Sequence, residues 1–189
     1  PPRTPTRPRF RSMSDDHTAE YTPPPKPSDP LIGKAVGEYL VHSVLGRGGM
    51  GTVYRAEDTA LGIPVALKAI APALAADDVF VRRFRTEARA MARVASPHIV
   101  RVMALREVET GPGTTGLFIV MEFVDGGDLH ARMAQGPMEW HELWPLLRQM
   151  LLGLEAAHAV GVVHRDIKPR NVLLTKPTGA QGPIGTLTD

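Results

Sequence analysis

The chain has no cysteine among its 189 residues. Disulfides and thiolate metal sites are therefore excluded, and a reducing compartment, the cytoplasm, is the expected location. Long apolar runs are missing too. The most apolar stretch, residues 143–163, is interrupted by Arg148, Glu155 and His158, which argues against a membrane span. Residues 1–30 contain no apolar central segment and so do not read as a secretory signal. Neither sign of charge dominates. Twenty-two Lys+Arg against 20 Asp+Glu leave a formal +2, which suits a mixed solvated surface and gives no reason to expect a nucleic-acid partner.

What is present divides unevenly. The hydrophobic content of 43% is enough for a packed core. Yet half of the 18 prolines fall in residues 1–30, together with Arg3, Arg7, Arg9 and Arg11. That composition predicts a disordered Pro/Arg-rich segment over residues 1–32. The sequence opens on Pro1, and Met13 is a candidate start residue, with residues 1–12 as an added leader.

Beyond residue 32, apolar alternation predicts strands over 36–44, 52–56 and 65–70, the first two flanking the glycine turn Gly46-Arg47-Gly48-Gly49-Met50-Gly51. Residues 77–94 predict a helix with Phe80, Phe84, Ala88 and Met91 on one face and Glu87 within it. Its arginines Arg82, Arg83, Arg85, Arg89 and Arg93 read as a solvated face. Strands over 99–105 and 117–123 follow, joined by a flexible glycine-rich loop at 111–116. A long amphipathic helix is expected over 140–160, then short strands at 172–174 and 187–188.

The glycine turn is weak evidence alone, since with 18 glycines the pattern arises by accident in about one such chain in six. A strand after it, with Thr52-Val53-Tyr54 β-branched and aromatic, argues against a dinucleotide fold, which needs a helix there. No Gly-Lys-Ser/Thr completes a Walker loop. His164-Arg165-Asp166-Ile167-Lys168-Pro169-Arg170-Asn171 is far more specific, expected by chance in roughly one chain in ten thousand. It sets an acid, a cation and an amide at offsets suited to phosphoryl transfer. A lysine in an apolar strand, Lys68, needs an anionic partner to remain charged.

In this order the motifs resemble the protein kinase family, and in wording the bacterial eukaryotic-like serine/threonine kinases, over about residues 37–189. The resemblance implies an α+β, kinase-like fold. Residues 33–124 would form the N-terminal lobe and hinge, an antiparallel sheet plus one helix, and residues 125–189 the beginning of the helical C-terminal lobe. It implies that ATP is bound by Leu45, Gly46, Gly48, Gly49, Gly51, Val53, Ala66, Lys68, Glu87, Met121, Glu122, Val124 and Leu173. Here Glu87 would pair with Lys68, Met121 would be the gatekeeper, and the backbones of Glu122 and Val124 would meet the adenine. Asp166, Lys168 and Asn171 would be catalytic, with Asn171 and Asp189 holding Mg2+ or Mn2+. Arg165 would pair with an activation-loop phosphate.

The implied partners are ATP and proteins bearing Ser/Thr, with no nucleic acid and no membrane segment in this chain. Lys168 favours Ser/Thr over Tyr acceptors. The kinase pattern continues past Asp189, so an isolated chain would leave the apolar face of the helix at 140–160 uncovered and fold poorly. Two other functions fit less of the sequence: a catalytically inactive ATP-binding or regulatory module, and an interaction protein using the basic helix or the Pro-rich segment.

Overall fold

The computed structural model describes residues 29–111, 113–176 and the backbone of 185–187. Most of the segment expected to be disordered, and the metal-site candidate Asp189, lie outside the described residues.

Six strands form one antiparallel sheet in the order β1-β2-β3-β4-β6-β5: β1 (Ala35–Val36), β2 (Tyr39–Gly48), β3 (Gly51–Asp58), β4 (Ile63–Ile70), β5 (Val102–Gly111) and β6 (Thr114–Glu122). Alternation in these strands sorts the side chains onto two faces. Val41, Tyr54, Ala56, Val65, Leu67, Phe118 and Val120 turn to one face and form a sealed core. Val53, Ala66, Ile119 and Met121 turn to the other face, as does Lys68, and there they meet a helix. Each fully buried aliphatic residue on the sealed face, such as Leu67, contributes about 1.5–3 kcal/mol.

That helix is α2 (Asp78–Met91), preceded by the single turn α1 (Pro72–Ala75). Asp77 caps α2 by accepting from Val79 N–H at 2.8 Å and Phe80 N–H at 3.1 Å, which satisfies amides the helix cannot. Beyond Phe123 come α3 (Leu129–Met133), α4 (Trp140–Ala159), a 3-10 turn at Pro169–Asn171, and a hairpin of β7 (Val172–Leu174) with β8 (Gly185–Leu187). Leu129, Leu146, Ala157, Val172 and Leu174 share a second core with Val94 and Ile99, which follow α2. Where this core meets α4, a Cβ on Gly153 would lie 2.6 Å from the His98 carbonyl oxygen, so only glycine permits the approach.

Several expectations change. Residues 29–32, expected in the unstructured leader, are folded onto the sheet. Gly33 N–H donates to Val41 O at 2.8 Å, Val41 N–H to Lys34 O at 3.0 Å, and Leu31 packs on the sealed core. The strand expected over 99–105 starts at Val102 and runs to Gly111, and its partner starts at Thr114. The loop at 111–116 is therefore the tight end of a long hairpin, because the ladder pairs Glu109 with Thr115 and Gly111 with Thr114. Helix α2 ends at Met91, three residues early, where Val94 drops into the second core. The short α1 and α3 were not expected, because helices of four and five residues lack the periodicity of longer ones.

Candidate active site

The cleft between sheet and helices is built from both sides. On the sheet side, Val53 opposes Lys68 across β3 and β4, and Ala66 opposes Met121 across β4 and β6. Val53, Ala66, Met121, Val124 and Leu173 belong to one cluster, so five residues from four separate segments meet around the cleft. Leu173 arrives there because β7 is stitched to the linker between the lobes. Leu174 N–H donates to Gly127 O at 2.8 Å, and Lys176 pairs with Asp125 at 3.2 Å. On the linker, Glu122 N–H donates to Arg101 O at 3.0 Å, and Arg55 sits 5.4 Å over the Phe123 ring.

The glycine turn closes the top of the sheet between β2 and β3. Gly51 has φ 145°, and a Cβ there would lie 1.9 Å from the Ala69 carbonyl oxygen, so packing alone requires glycine. Gly46, Gly48 and Gly49 differ: a Cβ would meet nothing within 4 Å at any of the three. The protein itself therefore has room for side chains there, and their absence leaves the surface of the turn open. Leu45 is half-exposed at the root of the turn.

Lys68, Glu87, Met121 and Arg165 line a cavity of about 400 Å³ between the sheet and α2. The sequence suggests a Lys68–Glu87 pair. The ion pair observed for Glu87 runs across the cleft to Arg165, with Nη1 and Oε1 3.8 Å apart. Arg165 also has a backbone φ of 61°, a left-handed conformation that costs a non-glycine residue energy. Both partners are largely exposed, so the contact is weak. Arg85, expected on a solvated face, pairs instead with Glu107 of β5, and Arg83 lines the cavity.

The helical side carries the acid. Lys168 Nζ donates to Asp166 Oδ2 at 2.5 Å, and Asn171 Nδ2 donates to the same oxygen at 2.9 Å and to the Asp166 carbonyl at 2.8 Å. The Lys168 ammonium, and after it the Asn171 amide, hold the Asp166 carboxyl below its usual 3.8, so it is ionised at neutral pH. The 3-10 turn that follows brings Asn171 back toward Asp166, with Asn171 N–H donating to Lys168 O at 2.9 Å. Arg170 reaches His130 on α3 at 3.1 Å and ties the loop to the second core.

For a divalent cation, the described residues supply no cluster of three or more His, Cys, Asp or Glu. The donor set still suits a hard cation. Asn171 spends its NH2 on Asp166, and its amide oxygen is the atom left for coordination, as expected where phosphates supply most of the ligands. No helix among the described residues is long and apolar enough to cross a membrane.

Comparison with known proteins gives the family. The protein kinase domain family matches residues 39–182. The serine/threonine-protein kinase PknL of Mycobacterium tuberculosis is 42% identical over 149 residues, which cover 78% of this chain and 36% of PknL. The serine/threonine-protein kinase PknD of the same organism is 41% identical over 147 residues, covering 77% of this chain and 21% of PknD. Among solved structures, the PknI kinase domain of M. tuberculosis superimposes with a TM-score of 0.68 at 34% identity, over 83% of this chain and 61% of that one. The chain thus spans well under half the length of the curated relatives it matches, and it belongs to the protein kinase domain family.

Proposed function

We propose that this chain carries the nucleotide-binding and catalytic residues of a serine/threonine protein kinase, which moves the γ-phosphate of ATP to a protein hydroxyl. The observation that carries this reading is the ionised Asp166, held by Lys168 and Asn171 and next in sequence to Arg165, which lines the same cavity as Lys68.

Adenine would lie between Val53 and Ala66 above and Leu173 below, with Met121 at the rear of the pocket. Because the Glu122 amide is already engaged by Arg101, that residue would offer the base its carbonyl, and Val124 would offer its backbone. The open backbone of Gly46, Gly48 and Gly49 would close on the phosphates, with Leu45 and Gly51 fixing its two ends. Lys68 would contact the phosphates, and Glu87 would hold Lys68 in place.

The acceptor oxygen attacks the γ-phosphorus, the bond to the bridging oxygen of ADP breaks, and the hydroxyl proton passes to Asp166. A carboxylate with a lowered pKa is a weak base. Its main work is therefore to orient the hydroxyl and accept the proton late in the reaction. Lys168 is half-exposed and leaves Asp166 to meet the charge on the transferring group, where fixed positive charge lowers the barrier. Kinases use a divalent metal, and Mg2+ or Mn2+ held by Asn171 and Asp189 would neutralise phosphate charge when bound. We assign the reaction to the cytoplasm, where ATP is available and a chain without cysteine lacks nothing it needs.

The test is transfer of labelled γ-phosphate from Mg-ATP to casein by the full-length protein, followed by phosphoamino-acid identification. Label on Ser or Thr that disappears in Asp166→Asn is the expected result. A protein that binds ATP and transfers nothing would instead be a regulatory nucleotide-binding module.

A further inference from the structure

Asp29 lies before the first strand, yet its side chain is only 4% exposed. A buried carboxylate is costly unless its oxygens are satisfied, and three donors reach this one. Leu31 N–H and the Tyr54 hydroxyl donate to Oδ1 at 3.1 and 3.0 Å, and the Arg47 guanidinium donates to Oδ2. Burial raises the pKa of Asp29, but the Leu31 amide, Arg47 and Tyr54 together outweigh it and hold the carboxyl ionised, below its usual value.

Two of these donors belong to rigid structure. Tyr54 is buried in the sealed core, and Leu31 packs against it. Arg47 comes from the glycine turn, between Gly46 and Gly48. The backbone of the turn is held by the β2–β3 ladder, which pairs Arg47 with Thr52 and Gly48 with Gly51, and by Ala71 N–H donating to Met50 O at 2.9 Å, but its side chains add little: Gly46, Gly48 and Gly49 have none, and Met50 is 55% exposed. Arg47 also donates from Nη1 to Thr52 Oγ1 at 3.2 Å, so its guanidinium bridges the start and end of the turn to a fixed anion.

We propose that Asp29 is a positioning residue for the nucleotide: through Arg47 it fixes the height of the glycine turn over the cleft. This rests on reading the turn as the phosphate cover. With the tether in place the amides of the turn are held ready for phosphate, and without it ATP must order the turn as it binds, which weakens affinity but leaves the catalytic loop untouched.

The experiment compares wild type, Asp29→Asn, Arg47→Gln and the double variant in the full-length protein. It measures KM for Mg-ATP, kcat, thermal midpoint, and hydrogen exchange over residues 45–53 without nucleotide. Asn keeps an oxygen for Leu31 and Tyr54 and turns an NH2 group toward Arg47. Each single variant should raise KM by roughly three- to tenfold, the size of one ordinary net hydrogen bond, since the tether acts on the nucleotide only indirectly, with kcat within about twofold and faster exchange in the turn. The double variant should be no worse than the poorer single variant, since both break one link. Asp29→Glu should recover part of the affinity. A lower thermal midpoint with unchanged KM and unchanged exchange would make Asp29 a structural residue only and overturn the proposal. A wild type that binds no ATP would sink the kinase reading and the nucleotide role with it. Exchange on the same samples would then report whether the tether exists.

Discussion

The two sides of the cleft hold their residues by opposite means. On the sheet side, Val53, Ala66, Lys68 and Met121 are placed by strand register, and the ladder behind them is pressed by a sealed core. On the helical side, Asp166, Lys168 and Asn171 sit on irregular backbone, each at least partly exposed, and hold one another through individual polar atoms. A ladder positions a side chain whatever its identity, whereas a polar cluster depends on every member. Chemistry should therefore be fragile where the structure is open, and stability fragile where it is closed.

The largest effect expected is on the open side. Asp166→Asn should lower kcat by roughly 10²–10⁴-fold, with ATP affinity and thermal midpoint nearly unchanged, because the carboxylate accepts a proton and supports little packing. Steady-state kinetics beside nucleotide titration would check it, and a large fall in the thermal midpoint would break the contrast. On the closed side, Leu67→Ala should cost about 2–5 kcal/mol in chemical denaturation while the molecules that remain folded keep their turnover.

Helix α4 sharpens the contrast within a single element. Leu146 is 1% exposed and Leu151 is 62% exposed, so Leu146→Ala belongs with Leu67, whereas Leu151→Ala should change stability by no more than about 0.5 kcal/mol. The stacked Trp140 and Trp144 are also exposed, and a chain limited to these 189 residues should bind the dye ANS more than one in which Leu151, Trp140 and Trp144 are replaced by Gln. The smallest effect is one of pH. Asp29 has a lowered folded-state pKa, so its contribution is complete above the usual 3.8 and is lost as pH falls through the lower folded value. Asp29→Asn should flatten the acid limb of a denaturation series below pH about 4 and leave the slope between pH 6 and 8 alone.

Period-two alternation made the strands legible, and the spacing within residues 164–171 marked the cluster that Asp166, Lys168 and Asn171 form, because both are local patterns. The long hairpin of β5 and β6 was obscured by glycines that look like a loop until Thr114 and Thr115 find ladder partners. The Asp29–Arg47 and Glu87–Arg165 contacts were hidden for a different reason. They join residues far apart in sequence whose pairing depends on where the chain folds back, and no local pattern marks it. Glu87 was correctly placed on the helix, and its contact with Arg165 accompanies a left-handed backbone at Arg165 that nothing in the residue type foretells.

Gly153 sets where helix α2 is anchored. By admitting the His98 carbonyl against α4, and with Val94 and Ile99 embedded beside Leu146 and Ala157, it pins the trailing end of α2 to the helical side. The leading end, capped by Asp77, rests on exposed structure. Helix α2 is thus a lever with its fulcrum beyond Met91. Glu87 sits about one turn before that fixed end, so a side chain at position 153 that pushed the His98 carbonyl away should displace Glu87 before it disturbed the Asp77 cap.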